Sequence, residues 1–396
     1  MPHRELDTDV MSEAVDRMQR VYRDGHRVVV SFSGGKDSGA CVEVCKIAAE
    51  REDRLPVEVA MRDEEIMFPG TFEYSETIAR DPATDFHWII ANQPIVNCFN
   101  RASPYFWVFD ELVEPEDWVR LPPTHTGVLD DVPNARAYQI PENNIGELIS
   151  PARFPPEEAP AGEDAELFVV MGLRVDESPA RRMGLHSSGG YLTKTDPQWG
   201  FRKCRPIYDW TDGDLWLAYQ LYGWPYNEAY DVMHRMGVTR RDLRIAPPTL
   251  SPAGIDQLAV ARKAWPLWWE RVAARLDGVN TASMFGRHAV EPDRRYGETW
   301  EECFYRECVE TAPDWIAKRA LDERDHVLRQ HQGHAATPFP QKRKCSRCPH
   351  SGSWKGLAKI TYMGDPFSMR TYANPPVEPE FFREGTGTWG GGAPTF

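Results

Sequence analysis

The chain has 396 residues, 41% of them hydrophobic and 27% charged, which is enough for two domains or for one large α/β domain with additions. A formal charge of −14 argues against broad, non-specific binding to nucleic-acid phosphates, although a local basic cleft stays open. The opening MPHRELDTDV lacks the positive region and apolar run of a signal peptide, and no stretch reaches the roughly 18 apolar residues of a membrane helix. A cytoplasmic protein without a membrane partner is therefore expected.

In chain order, residues 9–24 carry apolar side chains at helical spacing and predict an amphipathic helix. Residues 27–32 (RVVVSF) have the β-branched look of a buried parallel strand. A Ser-Gly-Gly-Lys-Asp-Ser loop at 33–38 follows, then a helix over 39–50. Strands are predicted at 57–61, 86–91 and 167–172, with a helix at 71–80. Residues 92–165 fit no simple crossover, and their prolines mark an insertion. Helices are predicted at 212–222, 226–236, 252–276, 299–310 and 313–330, and the Gly-rich residues 385–396 as a disordered tail. These elements predict an α/β fold, a doubly wound and mostly parallel sheet in residues 1–250, followed by a helical C-terminal domain in 251–384.

A glycine pair between a strand end and a helix start lets backbone N–H groups approach an anion, and the helix N-terminus adds partial positive charge. Here Gly34 and Gly35 would do this, with hydroxyls from Ser33 and Ser38 and a point charge from Lys36. Neither the G-x-x-x-x-G-K-[ST] spacing nor G-x-G-x-x-G is present. The string from Ser31 to Ser38 resembles the PP-loop of the ATP pyrophosphatase superfamily, in its phosphoadenosine phosphosulfate (PAPS) reductase branch. Three further segments are similar to that branch in the same order: the acidic turn 63–71 (DEEIMFPGT), 172–181 (GLRVDESPAR) and 205–216 (RPIYDWTDGDLW). The likeness covers about residues 25–245 and is greatest to phage- and prophage-associated members.

The resemblance implies an adenine nucleotide alpha hydrolase-like sheet and ATP, or PAPS, as the nucleotide. It also implies attack of a substrate oxygen on the α-phosphorus with loss of pyrophosphate. Ser31, Ser33, Gly34, Gly35, Lys36, Asp37 and Ser38 would hold the phosphates. Lys36 and Asp37 are expected to be catalytic, with Arg174 and Arg181 reaching the same anion. Asp37, Asp63 or Glu65 would position Mg²⁺, and Glu177 would orient the arginines. PAPS reductases use a C-terminal Glu-Cys-Gly-[Ile/Leu]-His thiolate and have lost the Lys-Asp pair. This chain lacks the first and keeps the second, which favours adenylyl transfer in sulfur or nucleic-acid modification. Two rivals are a reductase using Cys204, whose cationic neighbours would activate it, or the Cys345 pair, and a nucleotide-sensing regulator without turnover. The sequence is silent on the acceptor and the oligomeric state.

Eight cysteines in a reducing compartment do not suggest disulfides. Cys345 and Cys348 have C-x-x-C knuckle spacing, and Cys303 with Cys308 would complete a tetrathiolate for Zn²⁺ or a 4Fe-4S cluster. A spacing of five puts the latter two about 140° apart on a helix, so burial as small hydrophobes is the competing expectation. Cys41, Cys45 and Cys98 are expected to pack in the core, as are most tryptophans, among them Trp210, Trp216, Trp265, Trp268 and Trp269.

Overall fold

The computed structural model describes residues 8–90, 94–123, 135–139, 165–197, 200–245, 252–379 and 382. The chain divides into two units, one of residues 1–93 and 108–247, the other of residues 94–107 and 248–396. Residues 94–107 lie in the segment that the sequence reads as an insertion, yet they group with the second unit. The expected tail at 385–396 lies outside the described residues.

The strands in chain order are β1 (Arg27–Phe32), β2 (Val57–Asp63), β3 (Thr84–Ile90), β4 (Pro94–Val96), β5 (Tyr105–Trp107), β6 (Ala135–Gln139), β7 (Leu167–Val170) and β8 (Phe201–Cys204). The helices are α1 (Val10–Arg23), α2 (Lys36–Arg51), α3 (Thr71–Ala79), α4 (Pro179–Ser187), α5 (Asp212–Tyr222), α6 (Ala229–Arg235), α7 (Pro252–Ala264), α8 (Pro266–Arg275), α9 (Val279–Phe285), α10 (Trp300–Tyr305), α11 (Asp314–Gln332) and α12 (Trp354–Thr361).

In the first unit, β1, β2, β3, β6, β7 and β8 form one sheet in the order β6-β3-β2-β1-β7-β8, and every ladder is parallel. The expected doubly wound α/β sheet is present. Val28, Val29 and Val30 of the central β1 are buried, as their unbroken β-branched run demands of a strand covered on both faces. Val29, Ala60, Ile89, Leu167, Val169 and Phe201 pack as one cluster across β1, β2, β3, β7 and β8. Two strands of this sheet escape the sequence reading, as do β4 and β5 outside it. β8 (FRKC) is an edge strand whose Arg202 and Lys203 are only half-buried, so it carries no apolar run. β6 falls within the presumed insertion and pairs with β3 at the other edge.

Strand order reverses at β1. From there the chain runs outward through β2, β3 and β6, and on the other side through β7 and β8. In such sheets the crevice beyond the carboxyl ends of the two strands at the reversal is the natural ligand site. The loops leaving β1 and β7 occupy that position.

The second unit holds the β4–β5 antiparallel hairpin and helices α7 to α12. The single helix expected over 252–276 is two. Pro266 lacks an N–H and drives Trp265 out of the helical region, to φ −132° and ψ 71°. The element expected at 299–310 begins at the Thr299 cap, whose hydroxyl accepts from the Glu302 amide, and turns π-helical at Arg306–Glu310. Among the described residues, no helix is long and apolar enough to cross a membrane.

Candidate functional site

The loop after β1 turns through Gly34, at φ +71°, a left-handed conformation that a side chain disfavours, and a Cβ there would overlap Thr71. Gly35 caps α2 with extended backbone, so the first amides of the helix lie beyond the carboxyl end of the central β1. The serines hold the loop from within: Ser38 Oγ accepts from the Ser33 amide at 3.1 Å and donates to the Gly35 carbonyl at 3.0 Å. Asn227 donates to the Gly34 carbonyl at 3.0 Å, and the Tyr219 hydroxyl donates to the Lys36 carbonyl at 2.6 Å. The Lys36 amide donates to the Tyr230 hydroxyl at 2.9 Å. Among the described residues, nothing accepts from the amides of Gly34, Gly35 and Asp37. These three N–H groups, with that of Ser38, are the free donors of the turn.

Four charges gather beside them. Lys36 is 5% exposed, and its ammonium lies 3.3 Å from Asp37 Oδ2, 3.3 Å from the Leu243 carbonyl and 3.9 Å from Asp212 Oδ1. It is held rather than mobile. The Arg174 guanidinium, 3% exposed, donates through Nε to Asp37 Oδ1 and lies 3.8 Å from Asp212 Oδ1. Two cations thus share two carboxylates, and Arg240 adds a third cation, with Nε 3.2 Å from Asp212 Oδ2. These five groups carry one net positive charge between them, with the acids Asp176 and Glu177 close by. Asp212, Arg240 and Tyr230 were not singled out from the sequence. Asp212 reads there only as an acid in the first turn of α5.

Gly172 brings the β7 loop onto this turn. A Cβ at Gly172 would collide with the backbone of Asp37 and Ser38. Gly172→Ala should therefore push the two loops apart and cost about 1–3 kcal/mol, read as a lower urea midpoint, together with weaker nucleotide binding. An unchanged midpoint would contradict this packing.

Other expected site residues fare differently. Glu177 accepts from the Arg174 backbone amide at 2.8 Å and from Arg181 Nε at 3.3 Å. Arg181 itself is a half-exposed residue of α4 paired with Glu177, and it has no contact with the charges around Lys36. Ser31 lies within β1, paired with Ala60, rather than in the turn.

The acidic turn after β2 faces inward. Asp63 is fully buried and accepts from the Glu65 amide and from Trp88 Nε1, each at 2.9 Å, and from Arg120. Glu65, also fully buried, accepts from the amides of Phe109 at 2.7 Å and Val119 at 3.0 Å. Both carboxylates are occupied by protein donors and anchor the segment 109–120, which corrects their expected place as Mg²⁺ ligands. Glu64 differs: its Oε2 is buried without a partner, and burial raises its carboxyl above the ordinary value.

Cys204 is fully buried with its Sγ 3.6 Å from Met18 Sδ, and burial pushes its thiol up to about 12 despite the arginines nearby. It is a core residue, and the expectation of an activated thiol is overturned. Cys204→Ala should leave any nucleotide turnover within about twofold; a loss of 10²-fold or more, the scale of a missing catalytic group, would restore it as a reacting residue. Cys41 and Cys45 are fully buried as expected, and Cys98 is partly buried. Trp210 and Trp269 are buried, while Trp216, Trp265 and Trp268 are half-buried.

In the second unit, Cys345 and Cys348 come together with His331 and His334, not with Cys303 and Cys308. Cys308 is fully buried and donates to the Ala358 carbonyl at 3.5 Å, and Cys303 is fully buried on α10. The two histidines were missed in the sequence. Their signal is a H-x-x-H at 331–334 followed eleven residues later by the C-x-x-C at 345–348.

No protein-family model matches the chain. It is similar to YbdN of Escherichia coli (strain K12), itself described as uncharacterized, at 26% identity over 294 residues, 72% of this chain and 69% of that protein. Among solved structures it is similar to the FMN adenylyltransferase of Candida glabrata, at 13% identity and a TM-score of 0.31, covering 58% of this chain and 62% of that one. It is also similar to the PAPS reductase of Candida auris, at 14% identity and a TM-score of 0.30 over 58% and 94% of the two chains. A third likeness is to the tRNA thiolase NcsA of Methanococcus maripaludis, at 11% identity and a TM-score of 0.28 over 72% and 81%. The chain spans less than two thirds of the adenylyltransferase, and scores this low carry no conclusion about chemistry.

Proposed function

We propose that the first unit is an enzyme of the ATP pyrophosphatase type, which binds the polyphosphate of an adenine nucleotide and transfers the adenylyl group to an acceptor with release of pyrophosphate. The observation that carries this reading is the set of unpartnered amides in the turn leading into α2, flanked by Lys36 and Arg174 at the point where strand order reverses. The PAPS reductase-like motifs along residues 25–245 support adenine as the base and sulfur or nucleic-acid modification as the setting.

Adenylyl transfer makes a P–O bond from the acceptor oxygen to the α-phosphorus and breaks the bond to the β-phosphate oxygen, so charge builds on the pyrophosphate. The amides of Gly34, Gly35 and Asp37 would meet that charge at the helix N-terminus, and Arg174 would neutralise it at fixed orientation. Asp37 and Asp212 are partly exposed, at 25% and 28%, and would exchange their cationic partners for Mg²⁺, the ion that offsets phosphate charge in such reactions. With the carboxylates turned to the ion, Lys36 would stay where the Leu243 carbonyl holds it and give its charge to the phosphates.

The test is product identity. ATP incubated with the full chain, Mg²⁺ and either water or a cell-extract acceptor fraction should give pyrophosphate and an AMP-bearing product in equal amounts. Production of ADP and orthophosphate would contradict the reading, as would nucleotide binding with no product at all.

A further inference from the structure

The second unit contains a long irregular stretch of chain, held in part by Ser351 donating to Glu323 and by Gln341 accepting from the Trp300 amide. Residues 333–353 link α11 to α12 with neither helix nor strand. Connections of that length without secondary structure are uncommon in compact domains, and they are held when something ties them. A few backbone bonds help: the Trp354 amide donates to the Pro340 carbonyl at 2.9 Å and the Cys345 amide to the Gly352 carbonyl at 2.8 Å.

Four ligating side chains converge there. The ligand atoms of His331, His334, Cys345 and Cys348 all lie within 4.8 Å of one another. His334 Nε2 is 3.2 Å from Cys345 Sγ and 3.6 Å from Cys348 Sγ, and His331 Nδ1 is 3.5 Å from Cys348 Sγ. A tetrahedral ion with bonds of about 2.0–2.1 Å to nitrogen and about 2.3 Å to sulfur separates its ligands by about 3.3–3.8 Å. These three of the six edges fall at or beside that range, and the remaining ones lie within 4.8 Å.

The surroundings fit as well. His331 Nε2 lies 2.9 Å from the Thr337 carbonyl, so its N–H is placed there and the Nδ1 lone pair is left toward the cluster. Cys345 and Cys348 form a tight turn, with the Cys348 amide toward the Cys345 carbonyl at 3.4 Å. A Cβ at Gly352 would press to 3.0 Å on Cys348 Cβ and 3.1 Å on the Cys345 carbonyl, so glycine lets the chain close over the knuckle. His331 is 3% and Cys348 7% exposed, with Phe339 packed edge-on against the His331 ring at 5.3 Å.

We infer that His331, His334, Cys345 and Cys348 form a closed, structural Zn²⁺ site that pins the 333–353 segment to the C-terminal end of α11. Two thiolates and two imidazoles leave no open position for a reacting ligand, so the ion serves folding rather than catalysis. The set also argues against iron–sulfur. A 4Fe-4S cluster takes four thiolates, and the mixed two-iron type puts imidazoles and thiolates on different irons. Here each sulfur has an imidazole nitrogen as near neighbour.

The inference is independent of the nucleotide reading and is tested on the full chain, purified without an affinity metal. Elemental analysis should find about one zinc per chain, falling below about 0.2 in Cys348→Ser and His331→Ala and staying near one in Cys303→Ser, since each ligand lost weakens a structural site steeply. Because ligand variants can also fail to fold, the wild-type chain is read separately: reconstitution with Co²⁺ should give the intense visible bands of a tetrahedral ion and thiolate charge transfer. Iron with acid-labile sulfide would overturn the site. So would a metal-free wild-type chain giving only the weak spectrum of octahedral Co²⁺, or zinc retained in Cys348→Ser.

Discussion

Replacing Lys36 by Ala should weaken ATP binding by about 10–100-fold and reduce pyrophosphate release by about 10²–10³-fold, the scale of losing one charged donor to a transition state in a water-poor site. The ammonium is enclosed, with Asp37, Asp212 and the Leu243 carbonyl as its partners and the Tyr230 ring 5.5 Å away. That enclosure fixes where the charge stands. Lys36→Arg should not rescue, because a planar fork does not fit a space built around a compact ammonium. The fold should survive, since Arg174 remains to neutralise Asp37 and the loop is held by Ser38, Asn227 and Tyr230. Equilibrium titration with ATP, beside circular dichroism of both variants, checks this. Wild-type affinity in Lys36→Ala would remove the lysine from the site.

The largest effect on stability should come from Asp63→Ala. That carboxylate is fully buried and satisfies the Glu65 amide, the Trp88 indole and the Arg120 guanidinium at once. Removing it leaves a guanidinium and two neutral donors without their acceptor, and losing one partner of a buried charge pair costs about 3–5 kcal/mol. A urea midpoint should fall accordingly, with the slope unchanged. The folded fraction should still bind ATP, because Asp63 serves the architecture of the β2 turn rather than the nucleotide. Asp37→Asn should show a different pattern, a smaller fall in midpoint, because the amide oxygen still accepts from Arg174 and Asp212 stays near both cations, and a clear change in Mg²⁺ dependence. If Asp63→Ala proves stable and Mg²⁺-insensitive, the assignment of the two aspartates is reversed.

The strand–turn–helix at residues 27–38 was legible because its signal is local. A β-branched strand, a glycine needing φ +71° and a helix start follow one another within ten residues of RVVVSFSGGK. The parallel sheet followed from strand and helix periods for the same reason. What surrounds the loop was not legible. Asp212 looks like any acid in a first helical turn, Tyr230 like any buried aromatic, and Leu243 acts through a carbonyl that every residue carries. Asp63 and Glu65 were misread because sequence shows an acidic turn but not which way it faces. Arg174 and Arg181 look equivalent in GLRVDESPAR, yet the loop after β7 buries Arg174 while α4 carries Arg181 toward solvent. The histidines at 331 and 334 were hidden by the amphipathic pattern of α11, which they end.

The most direct measurement of the nucleotide site is calorimetric titration of the wild-type chain with Mg²⁺-ATP, repeated with inorganic pyrophosphate as competitor. One saturable site per chain is predicted, with pyrophosphate displacing ATP because both use the amides of Gly34, Gly35 and Asp37. A chain that takes up neither, or that binds ATP undisturbed by pyrophosphate, would contradict phosphate recognition by this turn.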